Sequence, residues 1–480
     1  MEISAELQVL FEALRQEVAE LRQQLAAREA TILELKQEVA ELRRQLGKDS
    51  SNSSKPPSSD GFKKKPRIAG SLRGISGKKS GGQAGHKGDT LRQVETPDKI
   101  ERHDAKACAH CAARLSAKMV TGVEKRQLFD MPEPRLEVTE HQAQVYTCSC
   151  CRGTTKAAFP EGVVSPVQYG PRVKATAVYL NVKQLIPEDR VAEVMGDLFG
   201  APSLCPASLV AWGDKKAIAL EPFAAHVAGL VARAPVRHLD ETGFRVGGKG
   251  RWLHTVSTAT LTHYRVTERR GDLLTTLEGG VIVHDHFKSY YLLGDVKHAL
   301  CNAHHLRELK ALIEIEKEAW AKKMFRLLLK AHKAVQRAVE KGASVVVDRM
   351  LRRILWLYDA IVSLGLAFHQ SLPPLARRTG ARGKLPRRIG HNLLIRLRDF
   401  RSDVLRFVSD FAVPFTNNQA EQDFRMMKVK MKISGGFRTI AGAQTFATLR
   451  SVISTARKQG WNILQTLMAP PQKLIVELSG

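Results

Sequence analysis

The chain has 480 residues, enough for two to four domains with a real core, and 43% of them are hydrophobic, as a globular protein needs. Lys and Arg number 75 against 48 Asp and Glu, a formal charge of +27; spread along the whole chain, that excess favours a nucleic-acid partner through counterion release. No apolar run reaches the roughly 18 residues of a membrane span, and the polar, acidic start lacks a basic segment leading into an apolar one, so neither a membrane partner nor a secretory signal is expected.

Residues 1–46 carry a seven-residue apolar repeat. One row is Phe11, Val18, Leu25, Ile32, Val39 and Leu46; the other is Leu7, Leu14, Leu21, Arg28, Leu35 and Leu42. Steps of three and four alternate between the rows, which is the seam of a coiled coil. Leucine in one row and β-branched residues in the other favour a parallel dimer, with Arg28 as a register-fixing break. The bland alternative is an amphipathic helix packed on its own chain. From 47 to 90 the composition turns to Ser, Pro, Gly and Lys (DSSNSSKPPSSD, KKKPR, GKKSGGQAGHKG). Such a stretch buries no core, so it reads as a disordered basic linker, lying on phosphates or solvated.

Five of the seven cysteines cluster between 108 and 151, which suits reduced thiols and metal rather than disulfides. Cys108 and Cys111 form one CxxC pair, Cys148 and Cys151 another, with 36 residues (112–147) between them. Two such pairs suit one structural Zn²⁺ in a small β domain over 91–165. Cys150 leaves the second pair ambiguous, since it could replace either neighbour. Arg135 to Thr147 alternates like a strand.

Residues 166–235 read as helices over 171–185, 187–199 and from Pro206 onward, broken near Gly200. Two readings stay open, a helix-turn-helix and a plain helical connector. From 236 to 300 the pattern becomes α/β. In VRHLDETGFRV (236–246) an apolar run ends on Asp240 and then turns. RWLHTVS (251–257) and HYRVT (263–267) continue a meander. A helix is expected over 272–277. The apolar run 281–284 then delivers Asp285. Meander, crossover and a second acid-bearing strand form the pattern of an RNase H-like domain.

Residues 301–410 are too many for a loop. They read as a helical insertion with helices over 306–340, 345–368 and 392–409 and a basic loop at 376–390. Residues 411–480 return to the core. Asn417 or Asn418 caps a helix whose buried stripe is Ala420, Phe424, Met427 and Met431. Glu421, Arg425, Lys428 and Lys432 share another face, as an acid-and-cation site needs; a solvated charged face with i,i+4 pairs reads the same way.

Taken together, these segments resemble the bacterial and archaeal transposases of the insertion-sequence-sixty-six family, within the wider Asp-Asp-Glu (DDE) transposases. The resemblance rests on SSKPPSSD (53–60), GGQAGHKG (81–88), the paired CxxC, HLDETGF, VHDHFKSYY, LCNAHHLRELK and PFTNNQAEQDFRMMKVKMKISGGFR, in that order, and covers nearly the whole chain. It implies an RNase H-like core with a helical insertion before the final acid. It makes Asp240, Asp285 and Glu421 the catalytic, metal-holding triad for two Mg²⁺ (or Mn²⁺) ions, one Zn²⁺ being structural. Glu421 with Lys428 resembles a Glu-x6-Lys pattern, which supports Lys428 as a DNA contact beside Arg425 and Lys432. Cys301 and His304 resemble a Cys-x2-His element; the sequence offers no further ligand, so a structural or DNA-orienting role is preferred.

The implied function is a cytoplasmic, nucleoid-associated transposase. Two hard cations about 3.5–4 Å apart would activate the attacking oxygen and stabilise the leaving one. Water first frees a 3′-OH at the terminal inverted repeat, and that 3′-OH then attacks target DNA. No P-loop is present. A nuclease that cuts without joining is the first rival. A non-catalytic zinc-containing DNA-binding protein with a coiled-coil dimer arm is the second.

Overall fold

A computed structural model describes residues 5–49, 52–53, 91–201, 204–272, 277–375 and 382–479. Most of the linker, the middle of the helix expected over 272–277 and the first part of the basic loop at 376–390 lie outside the described residues. The chain divides into two compact units. The larger comprises Met1–Gly70, Pro160–Glu193 and Ser203–Gly480; the smaller comprises Ser71–Phe159 and Val194–Pro202.

Helix α1 (Ala5–Leu46) is unbroken for 42 residues. Both heptad rows from Phe11 onward stand open among the described residues, with Leu21 56% and Leu25 59% exposed. Among the described residues, nothing of the chain covers the seam from Phe11 onward. At its foot, Asn52 Nδ2 donates to Glu314 at 3.2 Å.

In the smaller unit β1 (Val145–Thr147) and β2 (Thr154–Lys156) form an antiparallel hairpin. The strand expected over 135–147 is thus only its last three residues. Alternation becomes a strand only where a neighbour takes the backbone groups. Upstream, the Leu136 N–H instead bonds the carbonyl of Phe199 at 3.2 Å, and Val138 stands exposed.

Next in the chain come α2 (Pro171–Val178), a π-helical turn (Tyr179–Lys183), α3 (Glu188–Phe199) and α4 (Pro206–Arg233). Pro171 and Pro206 open their helices where a missing N–H costs nothing, and Gly200 follows α3 at φ +63°. The main sheet then begins. Strands β3 (Val236–Val246), β4 (Lys249–Ser257) and β5 (Thr262–Thr267) form an antiparallel meander. Strands β6 (Val281–His284) and β7 (Lys297–Leu300) join parallel to β3, giving the order β5-β4-β3-β6-β7. One departure concerns β3, which does not end at Asp240. It runs on to Val246 because β4 pairs it throughout, and the chain turns only at Gly247-Gly248, both at positive φ.

The helical segment resolves into α5 (Asn302–Ala311), a π-helical turn (Leu312–Glu316), α6 (Ala319–Glu340), α7 (Asp348–Ser371), α8 (Ile389–Asp399) and α9 (Arg401–Ser409). Two stretches read as continuous helices are broken. Left-handed Lys317 (φ +57°) stops the first, and Phe400 interrupts the second. These helices share a core that includes Trp320, Met324, Leu328, Tyr358, Leu394 and Val404. Glu318 is buried there between Trp320 Nε1 (2.5 Å) and His369 Nε2 (3.2 Å), and burial pushes its carboxyl up to about 7.

Finally come α10 (Asn418–Ser434), α11 (Ile440–Lys458), α12 (Ile463–Met468) and α13 (Pro471–Ser479). Helix α11 lies against α4 and β5; Phe446, Leu449, Val452 and Ile453 join Phe223, Val227 and Leu253 in the main core. After α10, Gly436 (φ +142°) lets Phe437 bond Arg245 backbone-to-backbone at 2.9 Å. A Cβ at Gly436 would sit 2.4 Å from that same carbonyl oxygen, so no other residue fits without moving β3.

Candidate active site and metal centres

Register brings Asp240 and Asp285 to the same end of neighbouring strands. Residue 236 pairs with 281 and 238 with 283 across the parallel β3–β6 ladder. The same offset of 45 carries 240 to 285, two steps beyond the last pair, where β6 has ended and the carboxylates are free of the ladder. The Glu241 N–H donates to Asp240 Oδ1 at 2.9 Å, and the Phe287 N–H to Asp285 Oδ1 at 3.0 Å. Among the described residues, neither acid receives a side-chain hydrogen bond.

The neighbouring Glu241 is different. Its carboxylate is taken by Arg270, with Nη2 at 2.6 Å, and by the hydroxyl of Tyr290. Arg270 is itself stacked on Phe287, 4.0 Å from the ring centroid. Of the two adjacent acids in HLDETGF, Glu241 has Arg270 as its ion-pair partner and Asp240 has none among the described residues. Burial, then the charges of Glu241, Asp285 and Glu421, push the Asp240 carboxyl well above the usual carboxylate range. Asp240 and Asp285, two neighbouring carboxylates with no cationic side chain paired to either among the described residues, are what a site for a divalent cation presents.

Glu421 reaches this cluster through two anchors on α10. Four residues before it, Asn417 Nδ2 donates to Leu239 O at 2.8 Å, while Oδ1 meets His238 Nδ1 at 2.8 Å. Asn417 was read as a helix cap; it occupies the cap position, but its side chain is spent on β3, beside Asp240. Two residues after Glu421, Asp423 accepts from Lys458 Nζ at 3.0 Å and from Thr262 Oγ1 at 3.4 Å. Glu421 is bracketed between a bond to β3 and bonds to β5 and α11. Its own carboxylate lies 3.4 Å from Arg307 Nη2 and 4.0 Å from His304 Nδ1.

Cys301 and His304 stand beside it. Cys301 follows β7 and is fully buried; the Asn417 N–H donates to its Sγ at 3.1 Å, and burial pushes the thiol up to about 11. Among the described residues, Cys301, His304 and Glu421 are the one group of three whose ligand atoms all lie within 4.8 Å of one another. Neither the three acids nor the four CxxC cysteines gather so tightly. Arg425, Lys428 and Lys432 are exposed along α10. The buried stripe is Ala420, Phe424 and Met427, with Met431 half-buried and Lys430 unexpectedly buried over the Phe437 ring.

The smaller unit contains two copies of one turn. The Cys108 N–H bonds Ala113 O and the Ala112 N–H bonds Cys108 O, both at 2.9 Å; the Cys148 N–H bonds Gly153 O and the Arg152 N–H bonds Cys148 O, again at 2.9 Å. Ala112 and Arg152 are both left-handed, at φ +59°. Backbone N–H groups of His110 and Cys111 lower the Cys108 thiol, and those of Cys151 and Cys150 lower Cys148. Cys150 occupies the place that His110 holds in the first turn.

Asn417 and Asp423 were visible in sequence only as a cap and an acid; Arg270, Tyr290 and Arg307 gave no signal beyond lying in or near the recognisable blocks.

A family model for the zinc-finger binding domain of transposase IS66 matches residues 105–152, so the chain carries that domain, and with it the case for structural zinc. A family of unknown function matches residues 2–92. No curated protein matches the chain. The family described as Transposase IS66 matches residues 166–445, more than half of the 480. On the strength of that match, the chain belongs to the transposase IS66 family.

Proposed function

We propose that the chain cleaves DNA at transposon ends and joins the freed 3′-OH to target DNA, with Asp240, Asp285 and Glu421 as the catalytic acids. The observation that carries this reading is the Asp240 carboxyl, which among the described residues has no cationic partner and is pushed up by burial and then by the charges of Glu241, Asp285 and Glu421, while Arg270 pairs with Glu241. The meander β3-β4-β5, followed by parallel β6 and β7, supports an RNase H-like core. An all-oxygen donor set fits Mg²⁺ or Mn²⁺. Bound by these carboxylates, two such ions supply activation of the attacking oxygen and stabilisation of the leaving oxygen.

The protein's own residues set the rest. Asp240 and Asp285 are held by backbone N–H groups rather than side chains, so their remaining oxygens stay available. Arg270 and Tyr290 keep Glu241 out of the donor set. Asn417 and Asp423 fix the approach of Glu421. Arg425, Lys428 and Lys432 continue from Glu421 along α10 and suit the phosphates flanking the cut. In the smaller unit, the repeated turn supports Cys108, Cys111, Cys148 and Cys151 as the Zn²⁺ ligands, with Cys150 in the place of His110. The open heptad seam of α1 supports a dimer through that helix.

The test uses the full chain, Mg²⁺ and duplex DNA carrying the element's terminal repeats. Asp240→Asn, Asp285→Asn and Glu421→Gln should each lose cleavage while still binding DNA; retained cleavage removes that acid from the mechanism. A pre-cut end should yield strand-transfer product, and cleavage without joining would make the protein a nuclease.

A further inference from the structure

Beside the three acids lies a donor set of another kind. Cys301 immediately precedes α5 and His304 falls in its first turn, so residues three apart bring sulfur and imidazole onto one side. Glu421 enters from the first turn of α10 and completes a group whose sulfur, nitrogen and oxygen all lie within 4.8 Å of one another. Two further observations mark it as more than packing. His304 Nδ1 is buried yet has no hydrogen-bond partner, and it points toward Glu421 at 4.0 Å. The Asn417 N–H donates to Cys301 Sγ at 3.1 Å, the outer contact that a metal-bound thiolate receives.

Thiolate, imidazole and carboxylate together do not suit Mg²⁺, which prefers oxygen; they suit a borderline-soft ion that takes three protein ligands and one water. We infer that Cys301, His304 and Glu421 form a Zn²⁺ site, and that filling it withdraws Glu421 from the DNA-cleaving acids. The second half rests on the proposed role of Glu421; the first half does not. Binding forms Zn–S, Zn–N and Zn–O bonds and releases the thiol proton to solvent. Arg307, 3.4 Å from Glu421, opposes any cation there. Its side chain is 30% exposed, so a cation that takes Glu421 displaces it toward solvent. The ion acts as a brake on the enzyme, separate from the zinc held in the finger domain.

The experiment measures zinc per chain on full-length protein equilibrated at fixed free Zn²⁺ without DNA, for wild type, Cys301→Ser and His304→Gln. His304 is partly exposed, so its variant keeps the test usable if Cys301→Ser misfolds; circular dichroism checks both. Wild type should hold one more ion per chain than either folded variant. Equal zinc content in wild type and folded His304→Gln overturns the site. Adding micromolar Zn²⁺ should then slow Mg²⁺-dependent cleavage by at least tenfold in wild type and much less in His304→Gln, each compared with itself without zinc. A lost ion with no relief of inhibition overturns the brake while leaving the site. If wild type does not cleave DNA at all, the proposed function fails, whereas the zinc count stands as measured.

Discussion

Asp240→Asn should act in opposite directions on stability and on chemistry. Asp240 is half-buried near Glu241, Asp285 and Glu421, and its raised pKa says that its charge is resisted in the folded state. Asparagine keeps an oxygen for the Glu241 N–H and removes the repelled charge. Without divalent metal the variant should therefore be more stable, by about 1 kcal/mol, the scale on which single relieved conflicts act. That is about 2–4 °C in the melting temperature of a domain of 150–250 residues. The sign depends on pH. An acid whose folded pKa is raised contributes stability that is full below its unfolded pKa and lost as pH rises toward the folded value. The gain from asparagine should thus be absent near pH 4 and grow on going to pH 8. Mg²⁺ reverses the ranking. At a concentration one hundred times its dissociation constant, a ligand of the native state adds about 2.7 kcal/mol to wild type, and the variant should lose most of that. Cleavage should fall by about 10²–10³-fold or more, as when one preorganised charge-stabilising group is removed from an active site. The assay is a thermal melt with and without Mg²⁺ at several pH values, paired with cleavage of terminal-repeat DNA. A variant that is less stable at pH 8 without metal, or that keeps the full Mg²⁺ shift, would refute the argument.

Four further expectations follow from the same geometry. Asn417→Ala leaves the Leu239 carbonyl and His238 without their partner, so it should cost about 1–3 kcal/mol in a denaturant melt and lower cleavage with little change in DNA affinity. Cys150→Ser should retain the zinc of the finger domain and Cys151→Ser should lose it, as read by metal analysis; the reverse result would reassign the second pair. Lys428→Ala should weaken DNA binding and lower the salt slope by about one unit, and an unchanged slope would place Lys428 away from phosphate. Burial raises Glu318 from its ordinary 4.5 to about 7, so it contributes stability below pH 4.5 that is lost as pH rises through 7. Glu318→Gln should flatten that part of the stability–pH curve.

The acid-bearing strands were legible in sequence because β strands with one buried partner leave short apolar runs next to polar ends, and Asp240 and Asp285 sit at those transitions. The extent of β3 was not legible. Whether a strand stops or continues depends on its neighbour, and β4 holds β3 as far as Val246. The same reasoning covers the alternating stretch before Cys148, where among the described residues no strand pairs with it before Val145. Helix breaks at Lys317 and Phe400 escaped notice because neither residue type announces a left-handed or terminal conformation. The approach of Glu421 was half visible. Its helix showed through periodicity, but what aims it depends on Asn417, Asp423 and their partners 35 to 179 residues away. Long-range side-chain bonds of that kind leave no periodic trace. The unpaired state of Asp240 was hidden for the same reason, since it follows from Arg270 and Tyr290 choosing Glu241.

The burial of α11 against β5 and α4 carries a consequence in time. A ribosome makes the sheet, both aspartates and Glu421 before it makes α11, yet Phe446, Leu449 and Val452 of that helix complete the core under the sheet, and Lys458 holds Asp423. A nascent chain that already carries all three acids therefore lacks the support that aims the third. At about 5–20 residues per second, the interval between synthesis of Glu421 and release of α11 lasts seconds. During it, and in any chain that stops short of α11, the proposed third acid stands on a helix whose supporting bond from Lys458 has not yet formed.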